Sequence, residues 1–235
     1  MAERPVFIPL FDGPWLVRTK SVPFHWFPGM AVSQKQKSVD SLHAAAQRML
    51  HVERILEVST KSRTELGTCL SAFNLSFTTR KHQITYSVES AFQASKVFEL
   101  GGPYKDILEM DSRSAKRDER LRSSGRLIRF KLFETEWDLE PKTAFYDWIY
   151  INALAKHEDL RNEIVNYSAF TDIEFNPERS INCQAYSAAL FVALYKRGVL
   201  QDALSSKERY LSILKHRQSS DAGADESDQR SLKID

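Results

Sequence analysis

Cysteine is scarce here, with only Cys69 and Cys183 in 235 residues. They lie far apart and match no metal-binding spacing, and a chain of this size does not need a disulfide, so both are read as reduced thiols. Also missing is any run approaching the ~18 consecutive apolar residues of a membrane-spanning helix. The first ten residues mix charges with two prolines and lack the apolar stretch of a secretion signal. The expectation is a cytoplasmic protein with no membrane association. Neither a Gly-x-Gly-x-x-Gly nor a phosphate-loop motif occurs, which leaves a Rossmann or P-loop enzyme without support. His-Glu-x-x-His is absent too, and the six histidines are scattered. No catalytic metal and no cofactor are expected.

What remains is the composition of a globular protein, 42% hydrophobic and 27% charged, with a net charge of +2 that conceals uneven placement. In residues 1–37, Pro5, Pro9, Pro14, Pro23 and Pro28 interleave with Phe7, Phe11, Trp15, Phe24, Trp26 and Phe27. Prolines limit regular structure and aromatics resist solvation, so this segment reads as an irregular or short-stranded arm packed on the body or on a partner. A body over residues 38–217 follows, and a polar tail over 218–235 reads as disordered.

Within the body, apolar spacing predicts helices over Ser38–Glu57, Ser87–Glu99, Ser112–Ser123, Thr143–Ala155, Gln184–Arg197 and Ser205–His216. Two short strands, Phe73–Phe77 and Gln83–Tyr86, flank a polar turn. The fold class expected from this is mainly α, with a few short strands.

One helix carries polar groups that its packing does not require. Val88, Ala91, Phe92 and Ser95 form its core stripe, while Glu89, Gln93 and Lys96 recur at i, i+4 and i+7 beside it. Periodicity alone favours a solvated face. The chemical reading is a carboxylate that moves protons, an amide that fixes a sugar hydroxyl, and an amine that serves as acid, electrostatic partner or nucleophile. Lysine becomes a nucleophile only where burial or a nearby cation lowers its pKa, and spacing does not establish that.

The runs Leu70-Ser71-Ala72-Phe73-Asn74 and Ser87-Val88-Glu89 followed by Ala91-Phe92-Gln93-Ala94-Ser95-Lys96 resemble the signature of the NADAR (YbiA-like) family. That family has an L-S-N-F-like segment and then a helix close to [ST]-x-E-H-x-[FY]-Q-A-x-K. The departures are Ser90, where the family usually has His, and Ala72 in place of Asn. Later features keep the family's order over about residues 66–200: a basic helix near Lys116, the pair Trp137-Asp138, a long buried helix, an aspartate turn at Asp172 and a closing segment at Asn182. The resemblance implies a glycohydrolase acting on an N-glycosidic bond, with Glu89, Lys96 and Asp172 catalytic and with Gln93, Phe73, Asn74, Lys116, Arg117, Arg120, Trp137 and Asn182 binding substrate. It implies an ADP-ribose-containing substrate, above all ADP-ribosylated guanine in DNA, and an antitoxin role against a DarT-like toxin. Two alternatives stay open, namely a non-catalytic binder of toxin or modified DNA and a small-molecule N-glycosidase of the riboflavin pathway.

The basic cluster is the second candidate feature. Arg113, Lys116, Arg117 and Arg120 would share one helical face, with Arg122, Arg126, Arg129 and Lys131 close behind. Guanidinium groups grip phosphate oxygens in pairs, so the face suits a pyrophosphate or a nucleic-acid backbone. A solvated helix laced by local ion pairs is the plainer reading.

Overall fold

The computed structural model describes residues 2–178 and 180–216; the segment 218–235, expected to be disordered, lies outside the described residues. The chain opens on a hairpin, β1 (Ala2–Pro9) and β2 (Val17–Phe24), paired antiparallel from Ala2 opposite Phe24 to Pro9 opposite Val17. The prolines are tolerated because β2 is an edge strand and β1 meets its other neighbour only at Phe7, so few ladder bonds are lost. Alternation then sorts the side chains. Val6, Val22 and Phe24 join one apolar cluster, and Phe7 and Val17 join another on the opposite face.

Helix α1 (Val32–Leu50) covers the first of these faces with Val39, Leu42, Ala45 and Ala46. It begins earlier than its apolar spacing suggests and ends at His51, whose φ of 54° is a left-handed cap. The sequence reading continued this helix to Glu57, but Ile55–Glu57 is strand β3. Next come α2 (Glu65–Cys69), the hairpin of β4 (Ser76–Thr78) and β5 (Thr85–Ser87), α3 (Val88–Ala94) and β6 (Lys96–Phe98). A 3-10 turn over Lys105–Glu109 leads to α4 (Ser112–Arg117) and α5 (Arg120–Ser123). Strands β7 (Leu127–Leu132) and β8 (Thr135–Trp137) complete an antiparallel sheet with β6.

The last part holds α6 (Ala144–Ala155), α7 (Glu158–Ile164), β9 (Ala169–Thr171), α8 (Gln184–Lys196), α9 (Leu200–Ser205) and α10 (Lys207–His216). Strand β9 enters the first sheet, whose order is β2-β1-β9-β3; it runs antiparallel to β1 and parallel to β3. Helix α8 packs on β1 and β9, and α6 packs on α8. Both are apolar nearly all round because both are enclosed: Phe145, Tyr150, Ile151, Leu190 and Phe191 are fully or almost fully buried. Each such side chain contributes about 1.5–3 kcal/mol.

The mainly helical class expected from the sequence is therefore corrected. Among the described residues, nine strands form three sheets, one of them mixed, and the result is an α/β fold. Six of the strands, β3, β4, β5, β6, β8 and β9, have only three residues, too few for alternation to register.

Candidate active site

Elements distant in sequence converge on a cavity of about 750 Å³. One wall is α3. Ser87 caps it by accepting from the Ser90 backbone N–H at 3.0 Å. The Ser90 hydroxyl, standing where the family usually has histidine, donates to the Met110 carbonyl at 2.9 Å. The Glu89 N–H donates to the Ala72 carbonyl at 3.0 Å, and the Ala72 N–H donates to Gln184 Oε1 at 2.8 Å. Backbone contacts thus tie the Leu70–Asn74 segment to both α3 and α8.

The helix predicted to reach Glu99 stops at Ala94, and Lys96 is instead the first residue of β6. Val97 and Phe98 pair with β7, and that pairing outweighs helical continuation. Lys96 still reaches its partners. Its ammonium donates to Gln93 Oε1 at 2.7 Å, and Gln93 Nε2 donates to Glu89 Oε1 at 2.8 Å. Glu89 and Gln93 are 5% and 6% exposed, so this is no solvated face. The Lys96 Nζ sits 4.9 Å from the Phe92 ring centre. Burial lowers its pKa to about 8, with Glu89 opposing the shift and Lys116 adding to it. Lys116 Nζ lies 3.9 Å from Glu89 Oε1 and 5.1 Å from the centre of the Phe73 ring, which also lines the cavity.

The other wall follows β9. Asp172 is buried, accepts from the Glu174 N–H at 3.0 Å, and lines the cavity together with Tyr146, Asn182 and Gln184. Burial pushes its carboxyl pKa up. Asn182 Oδ1 is buried and has no hydrogen-bond partner among the described residues, an unsatisfied acceptor on a residue that lines the cavity.

Of the residues singled out from the sequence, Glu89, Gln93, Lys96, Asp172, Phe73, Lys116 and Asn182 line this one cavity. Four do not. Trp137 is buried against Phe145, Trp148 and Tyr210. Asn74 is exposed and donates to the Thr68 carbonyl at 2.8 Å, on the rim of a different groove. Arg117 is exposed and lies outside the cavity lining.

Arg120 is held by two acids, with Nη2 2.6 Å from Asp106 and 2.8 Å from Asp118. The helix predicted over Ser112–Ser123 breaks at Asp118, whose ψ of 125° ends α4, so the four basic residues do not share one face. The cations at the cavity besides Lys96 and Lys116 are Arg122 and Lys142. Neither stood out: Arg122 was one of many in the cluster, and Lys142 lies in a loop without periodicity. Tyr146 and Gln184 read as core positions on apolar helices. Among the described residues, no group of three or more His, Cys, Asp or Glu is placed to hold a metal, and no helix is long and apolar enough to cross a membrane.

No curated protein matches the chain. A family model described as the DarT1-associated NADAR antitoxin matches residues 2–224, which takes in the hairpin and α1 as well as the segment that carries the signature. With nearly the whole chain matched and the signature residues gathered on one cavity, the protein belongs to the DarT1-associated NADAR antitoxin family.

Proposed function

We propose that this antitoxin is a glycohydrolase that removes ADP-ribose from ADP-ribosylated guanine in DNA, reversing the modification made by a DarT1-type toxin. The observation that carries the reading is the Glu89–Gln93–Lys96 hydrogen-bond chain lining the same cavity as Asp172. The cations Lys116, Arg122 and Lys142 at that cavity suit a pyrophosphate, the part of the substrate with most charge. They take the place that Arg117 and Arg120 held in the sequence reading. Asn182 at the cavity wall carries an amide that suits a ribose hydroxyl.

The lowered Lys96 pKa favours the nucleophile role. With a value of about 8, roughly a tenth of the amine is neutral at pH 7. In this reading the ribose ring opens, its ring oxygen taking a proton as the C–O bond breaks. The Lys96 amine then adds to the anomeric carbon, and the bond to the base breaks as the base nitrogen takes a proton. Water hydrolyses the resulting Schiff base, which frees Lys96 and releases ADP-ribose. Glu89 moves the protons, Gln93 holds Lys96 and Glu89 in register, and Asp172 stabilises positive charge at the anomeric carbon.

The test is incubation of the pure protein with guanine-ADP-ribosylated DNA, with release of ADP-ribose as the readout. Release that is lost in Glu89→Gln and Lys96→Ala is the expected result. No release, or equal release by both variants, overturns the assignment. Toxin neutralisation that survives both variants would instead mark a binding protein. Turnover of a free nucleotide with DNA ignored would mark a small-molecule glycosidase.

A further inference from the structure

Behind Asp172 lies a second carboxylate that the proposed reaction does not use. Glu57, at the end of β3, is 2% exposed and accepts three hydrogen bonds, from Ser59 Oγ at 2.6 Å, Thr171 Oγ1 at 2.7 Å and the Ile173 N–H at 2.8 Å. Thr171 Oγ1 is also 2.8 Å from His43 Nε2 on α1. A continuous chain therefore runs from His43 through Thr171 to Glu57.

The register explains the arrangement. Glu57 and Thr171 are paired residues of parallel strands. Ala169 packs in the cluster under α1 and Phe170 in the main core. Alternation puts Thr171 on the α1 face and Asp172 on the cavity face. Two carboxyl groups thus meet at the end of one sheet, one on each side of it. Burial and the neighbouring Asp172 charge both push Glu57 towards its protonated form, because two adjacent anions in a dry site are strongly disfavoured.

We propose that Glu57 holds the single proton of this pair so that Asp172 faces the cavity as an anion, and that the His43–Thr171 chain loads that proton from the α1 side of the sheet. Glu57 is then a positioning residue for charge, and the proposal rests on the reading that Asp172 acts in the cavity. The loading step balances. A His43 imidazolium gives its Nε2 proton to Thr171 Oγ1 as the Thr171 hydroxyl proton passes to Glu57 Oε2. Imidazolium and carboxylate become imidazole and carboxylic acid. His43 is half-buried and burial lowers its pKa to about 4, so near neutrality the ring rests neutral and the imidazolium forms only in passing as a proton is relayed. The other groups that face the chain are Asp40 beside His43, and Glu174, Cys183, Gln184, Tyr146 and Tyr150 around Glu57 and Asp172.

The experiment follows the carboxyl carbons of Glu57 and Asp172 and the ring nitrogens of His43 by NMR against pH in the full chain. The proteins are wild type, Glu57→Gln, Asp172→Asn, Thr171→Val and Thr171→Ser. The expected result is a protonated Glu57 beside an ionised Asp172 near neutrality, with the Asp172 titration unmoved in Glu57→Gln, whose amide stands for the neutral acid, and the Glu57 titration lower by about one unit or more in Asp172→Asn. Thr171→Val should abolish the dependence of the His43 Nε2 signal on the Glu57 titration, and Thr171→Ser should restore it. An ionised Glu57 beside a protonated Asp172 would overturn the proposal. So would an Asp172 titration that falls by about one unit or more in Glu57→Gln, a Glu57 titration unmoved in Asp172→Asn, or coupling that survives Thr171→Val. These readouts need no turnover, so they succeed or fail separately from the glycohydrolase reading.

Discussion

The two walls of the cavity are built in opposite ways. On the α3 side, Glu89, Gln93 and Lys96 bond to one another within eight residues of sequence, and cations stand at the mouth beside them. On the β9 side, Asp172 depends on Glu57 from β3, on Gln184 from α8 and, through Thr171, on His43 from α1. The first wall is a local device that any fold able to hold a short helix against a strand could carry. The second exists only after the mixed sheet has formed. The comparison teaches that the chemistry placed on α3 is portable, while the charge placed on Asp172 is a property of the whole fold.

The largest effect should come from the local wall. Lys96→Ala and Glu89→Gln should each lower the rate of ADP-ribose release by about 100-fold or more, in line with the loss of a positioned proton-transfer group, with folding intact by circular dichroism. If either variant keeps near-full activity, the contrast between the walls disappears. Next in size is pH dependence. With the neutral amine of Lys96 as the reacting form, as proposed, the rate should climb by up to tenfold per pH unit below about 8, the value set by burial, and level off above it. A profile flat between pH 6 and 8 (on the order of one pKa unit either side of neutrality) would remove the amine from the rate-limiting step.

The fold-dependent wall should answer in stability. Gln184→Ala removes the acceptor of the buried Ala72 N–H and should cost about 1–3 kcal/mol, read as a lower midpoint in urea. A midpoint equal to wild type would show that Gln184 does not brace the site. The smallest effects concern the mouth. Lys142→Ala or Arg122→Ala should raise KM for the ADP-ribosylated substrate by several-fold and leave kcat nearly unchanged, because an exposed cation binds ground and transition states alike. Arg120→Ala should leave KM where it is, since its charge is already answered by Asp106 and Asp118. A rise in KM there would return Arg120 to the site.

The same contrast explains what could be read from the sequence. The α3 residues were legible because one short segment carries them at fixed spacing, even though helix and strand share that segment. The buried helices α6 and α8 were legible from apolar runs. The basic face was misjudged because a single residue, Asp118, breaks the helix, and helical projection assumes no break. Trp137 took a binding role only from motif order, whereas its ring fills the core. Glu57 gave no signal at all: an acid in the short run Ile55-Leu56-Glu57 looks like the end of a helix, and its importance comes from neighbours that are 114 and 116 residues away.

The N-terminal hairpin has a consequence for how the protein is made. Strand β1 is made long before β9, yet in the finished sheet Phe7 pairs with Phe170, on the strand that leads directly into Asp172. A chain cut short before β9 would carry every α3 residue of the site and no opposing carboxylate. On the proposed mechanism such a fragment should be inactive, because the cavity is completed only once β9 and Asp172 have been made.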